Sequence, residues 1–596
     1  MIHTFHIPVL GLAFSADSPL KVAQYGISSV ISVVDDELME RLRKYYSSLY
    51  NKGYNPISSK DLDSRANRIT AYLNLVYDIV SEQVHKLRTA DFDRCLEWRK
   101  FFDLLPNQSK IKAVYDTYKQ EANKEIKIGL ANTLRTLIQP GDINVNIMSK
   151  VDKINTDSKG IPLAHNYSDA SASLRGFAQS KLQASLVLSA GMNPRLYNYL
   201  SELPQFLPNE EGQFSKQIIL KVSDYRSALI QAKYLAKKGV WIAEYRIESG
   251  LNCGGHAFAT DGFLLGPILE EFKQHKTALK EELFTLYRQA LQQKGITLKH
   301  CPAIKITAQG GIGTHHEHSF LLDYYQLDAT GWGSPFLLVP EATTVDDNTL
   351  DALANAEAKD FYISGSSPLG VPFNNFSGST AEQHRRTRIE AGRPGAPCTK
   401  KYLILNTEYG GEPICTASRL YQHKKIKEIE ALGLDAAEQQ KQVDAVTEKT
   451  CLCEGLATAA YLKYGIMEPK ENPAVAICPG PNTVFFNRRY SLQEMVDHIY
   501  GRTDLLNNVE RPSLFINELR LYIKHLEKFI AISRHQMDDK KDKYVHRFTT
   551  HLLQGIGYYR NLAPTLYARE EAEEKIFLKQ LDEAEQQLVS NYLPID

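Results

Sequence analysis

Eight short apolar runs in the first 345 residues constrain this chain most. They are "IPVLGLAF" (7–14), "SSVISVVD" (28–35), "INVNIM" (143–148), "SLVLSAG" (185–191), "QIILKVSD" (217–224), "VWIAEYRI" (240–247), "AIKITAQGG" (303–311) and "ATGWGSPFLLV" (329–339). Most are β-branched and apolar on both faces, as parallel strands covered by helices must be. Helical or loop segments separate them; "YRSALIQAKYLAKKG" is amphipathic and ends at a glycine stop. Eight strand–helix units predict a (β/α)8 TIM barrel, with a doubly wound open sheet as the alternative.

The barrel is assigned to residues 1–52 and 141–345. Residues 53–140 read as a helical insertion whose Ile69, Leu73, Val76, Val80, Val84 and Leu87 fall on one face. No motif in the insertion points beyond packing or oligomerisation. Past 345 the texture changes. Residues 346–485 are loop-rich and carry cysteines, and 362–398 read as a long loop covering a site. A mostly helical C-terminal region, 486–596, follows, with Leu519, Ile523, Leu526 and Ile530 as a stripe.

At 596 residues, more than one packed unit is expected. Lys+Arg 70 balance Asp+Glu 70, so net charge gives no reason to expect a nucleic-acid or anionic-membrane binder. The N-terminus lacks a basic stretch before its short apolar run and reads as a first strand rather than a signal peptide. No uncharged apolar run approaches the ~18 residues of a membrane span. These features predict a cytoplasmic protein.

Two glycine loops follow predicted strands. In "ITAQGGIGTHHEHSF", Gly310, Gly311 and Gly313 bring backbone close to whatever lies above the strand, and Thr314 and Glu317 have capping-box spacing. A strand, a glycine turn and a helix N-terminus suit a phosphate. Gly331, Gly333 and Ser334 after the eighth strand would complete the cradle. Of the nearby histidines, only His315 and His318 share a helix face, which argues against a metal site there.

The motif Gly250, Gly254, Gly255, His256, with the Gly310–Gly313 turn one strand later, resembles the nitronate monooxygenase and FabK-type enoyl reductase flavoproteins. These are FMN-binding TIM barrels. The resemblance spans roughly residues 5–345 without the insertion. It implies FMN held by Asn146, by Gly254 and Gly255, and by both glycine loops. Leu10-Gly11-Leu12 stands where the family carries Pro-Met, Cys253 replaces a small residue, and 345–596 has no counterpart in a minimal member. A histidine at the end of strand six is placed for proton transfer, so His256 is the expected acid/base on a small or acyl-type substrate. Cys253 reads as a packed thiol.

Five of the eight cysteines, Cys398, Cys415, Cys451, Cys453 and Cys478, fall close together, each near Gly or Pro. Without a C-x2-C pair zinc is a poor reading, and four thiolates suit a [4Fe–4S] cluster. Either Cys451 or Cys453 is then spare; Cys453, opening a helix, is favoured. Free structural thiols are the alternative. A flavin beside such a cluster would exchange electrons with a ferredoxin-like donor. Two other readings stay open. One is a flavin enzyme acting on RNA through the locally basic stretch 532–547. The other is a barrel scaffold with a structural metal and no turnover.

Overall fold

A computed structural model describes residues 2–592 apart from 93, 150, 151, 158, 190, 534–537 and 569; for 591 and 592 it describes the backbone alone. Residue 190 of the fourth predicted strand, 534–537 of the basic stretch and the last four residues of the C-terminal region therefore lie outside the described residues.

Eight parallel strands close into a barrel in chain order: β1 (Phe5–Ile7), β2 (Ser28–Ser32), β3 (Ile143–Asn146), β4 (Ala184–Leu188), β5 (Lys216–Val222), β6 (Ile242–Glu248), β7 (Lys305–Gln309) and β8 (Ala329–Gly331). Pairing of β1 with both β2 and β8 completes the ring and rules out the open sheet. The fold is a (β/α)8 barrel. Inward-facing Val30, Val187 and Ile219 form a small core of their own with Val9. Outward-facing residues such as Leu186, Leu220, Tyr245 and Ile247 join the main core under the helices. Paired residues share a face, so Lys221 with Arg246, and Glu248 with Gln309, also point inward near the C-terminal rim.

Two strands are shorter than their apolar runs. β1 stops at Ile7 because Pro8 has no N–H to donate to the ladder. The chain then turns through Gly11, at φ +52°. β8 stops at Gly331, and Ser334–Leu338, with Pro335 near its start, winds into a 3-10 turn.

The helix Ser64–Thr89 buries the whole predicted stripe from Ile69 to Leu87. It packs between the helices Asp36–Leu49 and Asp169–Gln179, which makes it part of the barrel's outer layer. Helices Leu96–Asp103, Lys110–Gln120 and Lys124–Leu137 fill the rest of the insertion.

Residues 362–398 are not one long loop. An antiparallel hairpin of β9 (Phe361–Ser364) and β10 (Phe373–Phe376) leads into the helix Thr380–Glu390. That helix is nearly all polar, so hydrophobic periodicity could not mark it; Ser379, accepting from the Glu382 N–H, caps its start. Helices Leu514–Ser533, Asp539–Leu566 and Glu571–Tyr592 close the chain, with Leu519, Ile523 and Leu526 buried and Ile530 half-buried. No helix among the described residues is long and apolar enough to cross a membrane.

Candidate active site at the barrel mouth

A cavity of about 470 Å³ opens over the C-terminal ends of the strands, the face where barrel folds assemble their chemistry. Its floor is a polar ring drawn from consecutive strands or the residues just after them: Ser32, Asn146, Ser189, Lys221, Glu248 and Gln309. Its walls are apolar. Leu10, Leu12 and Phe14 come from the loop after β1, Leu369, Val371 and Phe373 from the hairpin, and Leu403, Leu405, Leu452 and Leu456 from the region beyond.

The ring is wired by charge. Lys221 Nζ donates to Glu248 Oε2 at 2.8 Å, and Gln309 Nε2 donates to Glu248 Oε1 at 2.6 Å. Burial works to raise the Glu248 carboxyl. The Lys221 charge and hydrogen bonds from Lys221, Gln309 and Cys253 outweigh it and hold the group below the usual carboxylate range. Deeper in the barrel Arg246 Nε and Thr307 Oγ1 both donate to Glu244 Oε1, at 2.9 and 2.6 Å. Burial, then the Arg246 charge, keep His6 neutral by pushing its pKa well down.

His256 lines this cavity, its Nε2 2.8 Å from Ser367 Oγ and its ring edge-on to Phe373. The loop carrying it is fixed by the hairpin. Ala257 N–H donates to Pro372 O, Asn374 N–H to Gly255 O and Asn374 Nδ2 to Cys253 O. Burial and then the Glu248 charge push the Cys253 thiol far up, so it remains a protonated donor rather than a nucleophile.

Asn146, Gly254, Gly255, Gly310, Gly311, Gly331, Gly333 and Ser334 all line the cavity with His256. The glycines serve mainly to let loops meet. A Cβ on Gly311 would lie 1.9 Å from Asn252 Nδ2, and one on Gly254 would lie 2.6 Å from Cys478 O. Only Gly255, at φ +79°, faces open space.

Gly313 does not reach the cavity. Its N–H donates to Glu317 Oε2 at 2.8 Å and its carbonyl accepts from His498. Thr314 Oγ1 accepts from the Glu317 N–H, so the N-terminus of His315–Tyr324 is satisfied by the chain's own side chains. The expected phosphate position at this helix end is therefore filled by a carboxylate, which Arg511 neutralises at 2.7 Å. The three histidines diverge as well. His315 faces Ile499 O, His316 stacks on Tyr567, and His318 lies buried between Thr4 and Thr330 with burial lowering its pKa to about 3.

The cysteines separate into four and one. Cys398, Cys415, Cys451 and Cys453 share a small satellite core. Cys478 is apart, on the cavity wall, its carbonyl accepting from the Gly255 N–H at 3.2 Å. Pro479 and Gly480, which follow it, pack closely against Gly254 of the His256 loop. Lys400 carries the first thiol segment onto the barrel rim, its Nζ 2.8 Å from Glu37 Oε2 and 3.3 Å from Asp35 Oδ2.

The sequence reading missed Ser32, Ser189, Lys221, Glu248 and Gln309. One signal was present: a charged or polar residue in the C-terminal half of an apolar run or just past its end. Glu518 gave no such signal. It is buried at the root of the His256 loop, accepting from Ser249 Oγ and from the Leu265 N–H. Burial raises its pKa from 4.5 to about 7 despite these bonds. The unfolded chain loses this proton above ~4.5 and the folded chain keeps it to about 7, so the contribution is full below the first value and is lost as pH rises to the second. Stability is expected to fall by roughly 3 kcal/mol across that window, and Glu518→Gln to flatten the slope, read from urea unfolding at several pH values. Equal slopes in both proteins would contradict the assignment.

The residues present fit the FMN implied by the sequence resemblance. The cavity has the volume of a cofactor site, with apolar walls and a few convergent polar groups. Buried in its floor, Ser32 Oγ has no hydrogen-bond partner.

No protein-family model matches the chain, and no curated protein matches it in sequence. Among solved structures it is similar to FabK from Thermotoga maritima, at 13% identity over 69% of this chain and 86% of that one, with a TM-score of 0.30. It is also similar to the enoyl reductase domain of MlnA, from the macrolactin biosynthesis cluster of Bacillus amyloliquefaciens, at 16% identity over 65% and 87%, with a TM-score of 0.35. Likeness at that level assigns no family.

Proposed function

We propose that the chain is an FMN-dependent oxidoreductase acting on an acyl-type substrate. The observation that carries this reading is the cavity itself: a polar ring beneath apolar walls, with His256 at the side. A bound flavin supplies hydride or electron transfer. Asn146, Ser32, Gln309 and Lys221 would hold its polar ring edge, and the backbone at Gly310–Gly311 and Gly331–Ser334 would hold its phosphate end. The leucines and phenylalanines of the wall exclude water and accommodate an acyl chain. His256 would deliver or accept a proton at a carbon of an activated C=C bond beside the one that the flavin chemistry acts on. Its bond to Ser367 fixes the ring for that step.

The test loads the full chain with FMN, reduces it chemically without oxygen and adds an unsaturated acyl thioester. The expected result is reoxidation of the flavin with one saturated thioester formed per flavin. A reduced holoprotein indifferent to such thioesters would refute the substrate class.

A further inference from the structure

Cys398 and Cys415 bracket one loop, and Cys451 and Cys453 stand at the start of the helix Leu452–Tyr464. Cys415 and Cys453 form a separate buried cluster with Leu403 and Ala417, against which Cys398 and Cys451 pack. Cys398 and Cys415 are neighbours, each the largest influence on the other's ionisation. The fold thus brings four thiols, from 398–415 and 451–453, to one place, and four is the ligand number of a [4Fe–4S] cluster.

What the four thiols bind is constrained by how they are spread. Among the described residues no group of three or more His, Cys, Asp or Glu side chains is placed to hold a metal ion as it stands. The choice between zinc and a cluster rests on spacing: the four cysteines include no C-x2-C pair of the kind zinc sites use, and four thiolates are what a [4Fe–4S] cluster takes.

We propose that Cys398, Cys415, Cys451 and Cys453 hold an iron–sulfur cluster against the wall of the barrel-mouth cavity. Both Cys451 and Cys453 are ligands, and Cys478 is not. Each thiol releases its proton on ligation, with the iron and sulfide supplied from outside the chain. The cluster lies next to the cavity because Cys453 lines both, together with Tyr402 and Leu403. It would also clamp the 398–415 loop, which supplies Tyr402, Leu403 and Leu405 to the wall, onto the helix behind it. None of this uses the polar floor, so the site stands or falls separately from the flavin reading.

The full chain, prepared without oxygen and supplied with ferrous iron and sulfide, is assayed for bound iron, acid-labile sulfide and zinc. The expected result is iron and sulfide in equal amounts with a broad visible absorbance. In Cys398→Ser and Cys451→Ser the iron falls by roughly tenfold or more, since losing a ligand costs at least what losing its supporting hydrogen bond does. Cys478→Ser keeps its iron and reports that a cysteine change alone does not strip the protein. Zinc without sulfide, no bound metal, or iron unchanged in Cys451→Ser would overturn the proposal, as would loss confined to Cys478→Ser.

Discussion

Replacing His256 with alanine is expected to slow reoxidation of the reduced holoprotein by roughly 10²–10⁴-fold, the usual contribution of one positioned proton donor. FMN affinity should change little, since a proton donor at the cavity wall acts on the substrate. The prediction rests on placement. His256 lies on the cavity wall, held by Ser367 at 2.8 Å and by the bridge between its backbone and Phe373. His256→Gln preserves a side chain able to bond Ser367 and removes the ring that carries the proton, so it should be as slow as the alanine variant. A wild-type rate in either variant would remove His256 from the chemistry.

Arg511→Ala carries the largest expected effect on stability, roughly 3–5 kcal/mol. The Arg511 and Glu317 side chains are 5% and 7% exposed, and Nη1 lies 2.7 Å from Oε1. Arg511 Nε donates to Asn482 Oδ1 at 2.9 Å, and Nη2 donates to Gly311 O. The same Glu317 carboxylate accepts from the Gly313 and Leu514 N–H groups. Truncating the cation leaves a buried carboxylate without its counter-charge and frees the glycine turn at the cavity edge. Urea unfolding reads the loss. The double variant Arg511→Met, Glu317→Gln should recover much of it, because removing both charges avoids the orphan. A single-variant cost under about 1 kcal/mol would show that the pair is not a determinant of this junction.

The barrel was legible because fully buried parallel strands leave uninterrupted β-branched runs, and eight of them occur in order. Their ends were less legible. Pro8 terminates β1 by lacking a donor, an effect that apolar content does not register. His256 and eight of the nine expected cofactor residues meet in one cavity because each stands at the end of a strand or in the loop that follows one. Gly313 misled for the opposite reason: the helix end it introduces is satisfied by Glu317, four residues on. Lys221 and Glu248 were hidden since their ion pair exists only once β5 and β6 lie side by side. Arg511 and Glu518 act across long sequence separations, and no local pattern marks such partners. Among the cysteines, proximity in sequence favoured Cys478, whereas the fold sends that residue to the cavity and gathers the other four.

We propose that the cavity over the barrel's C-terminal rim is a flavin site. Its most direct test is a titration of the purified full chain with FMN, followed by absorption and flavin fluorescence and repeated with Gly255→Leu, which places a side chain in the open space beside that glycine. One FMN per chain is expected, with shifted absorption bands and quenched fluorescence in the wild type, and binding sharply weakened in the variant. Wild-type protein that leaves the FMN spectrum unchanged, or a variant that binds as tightly as wild type, would contradict it.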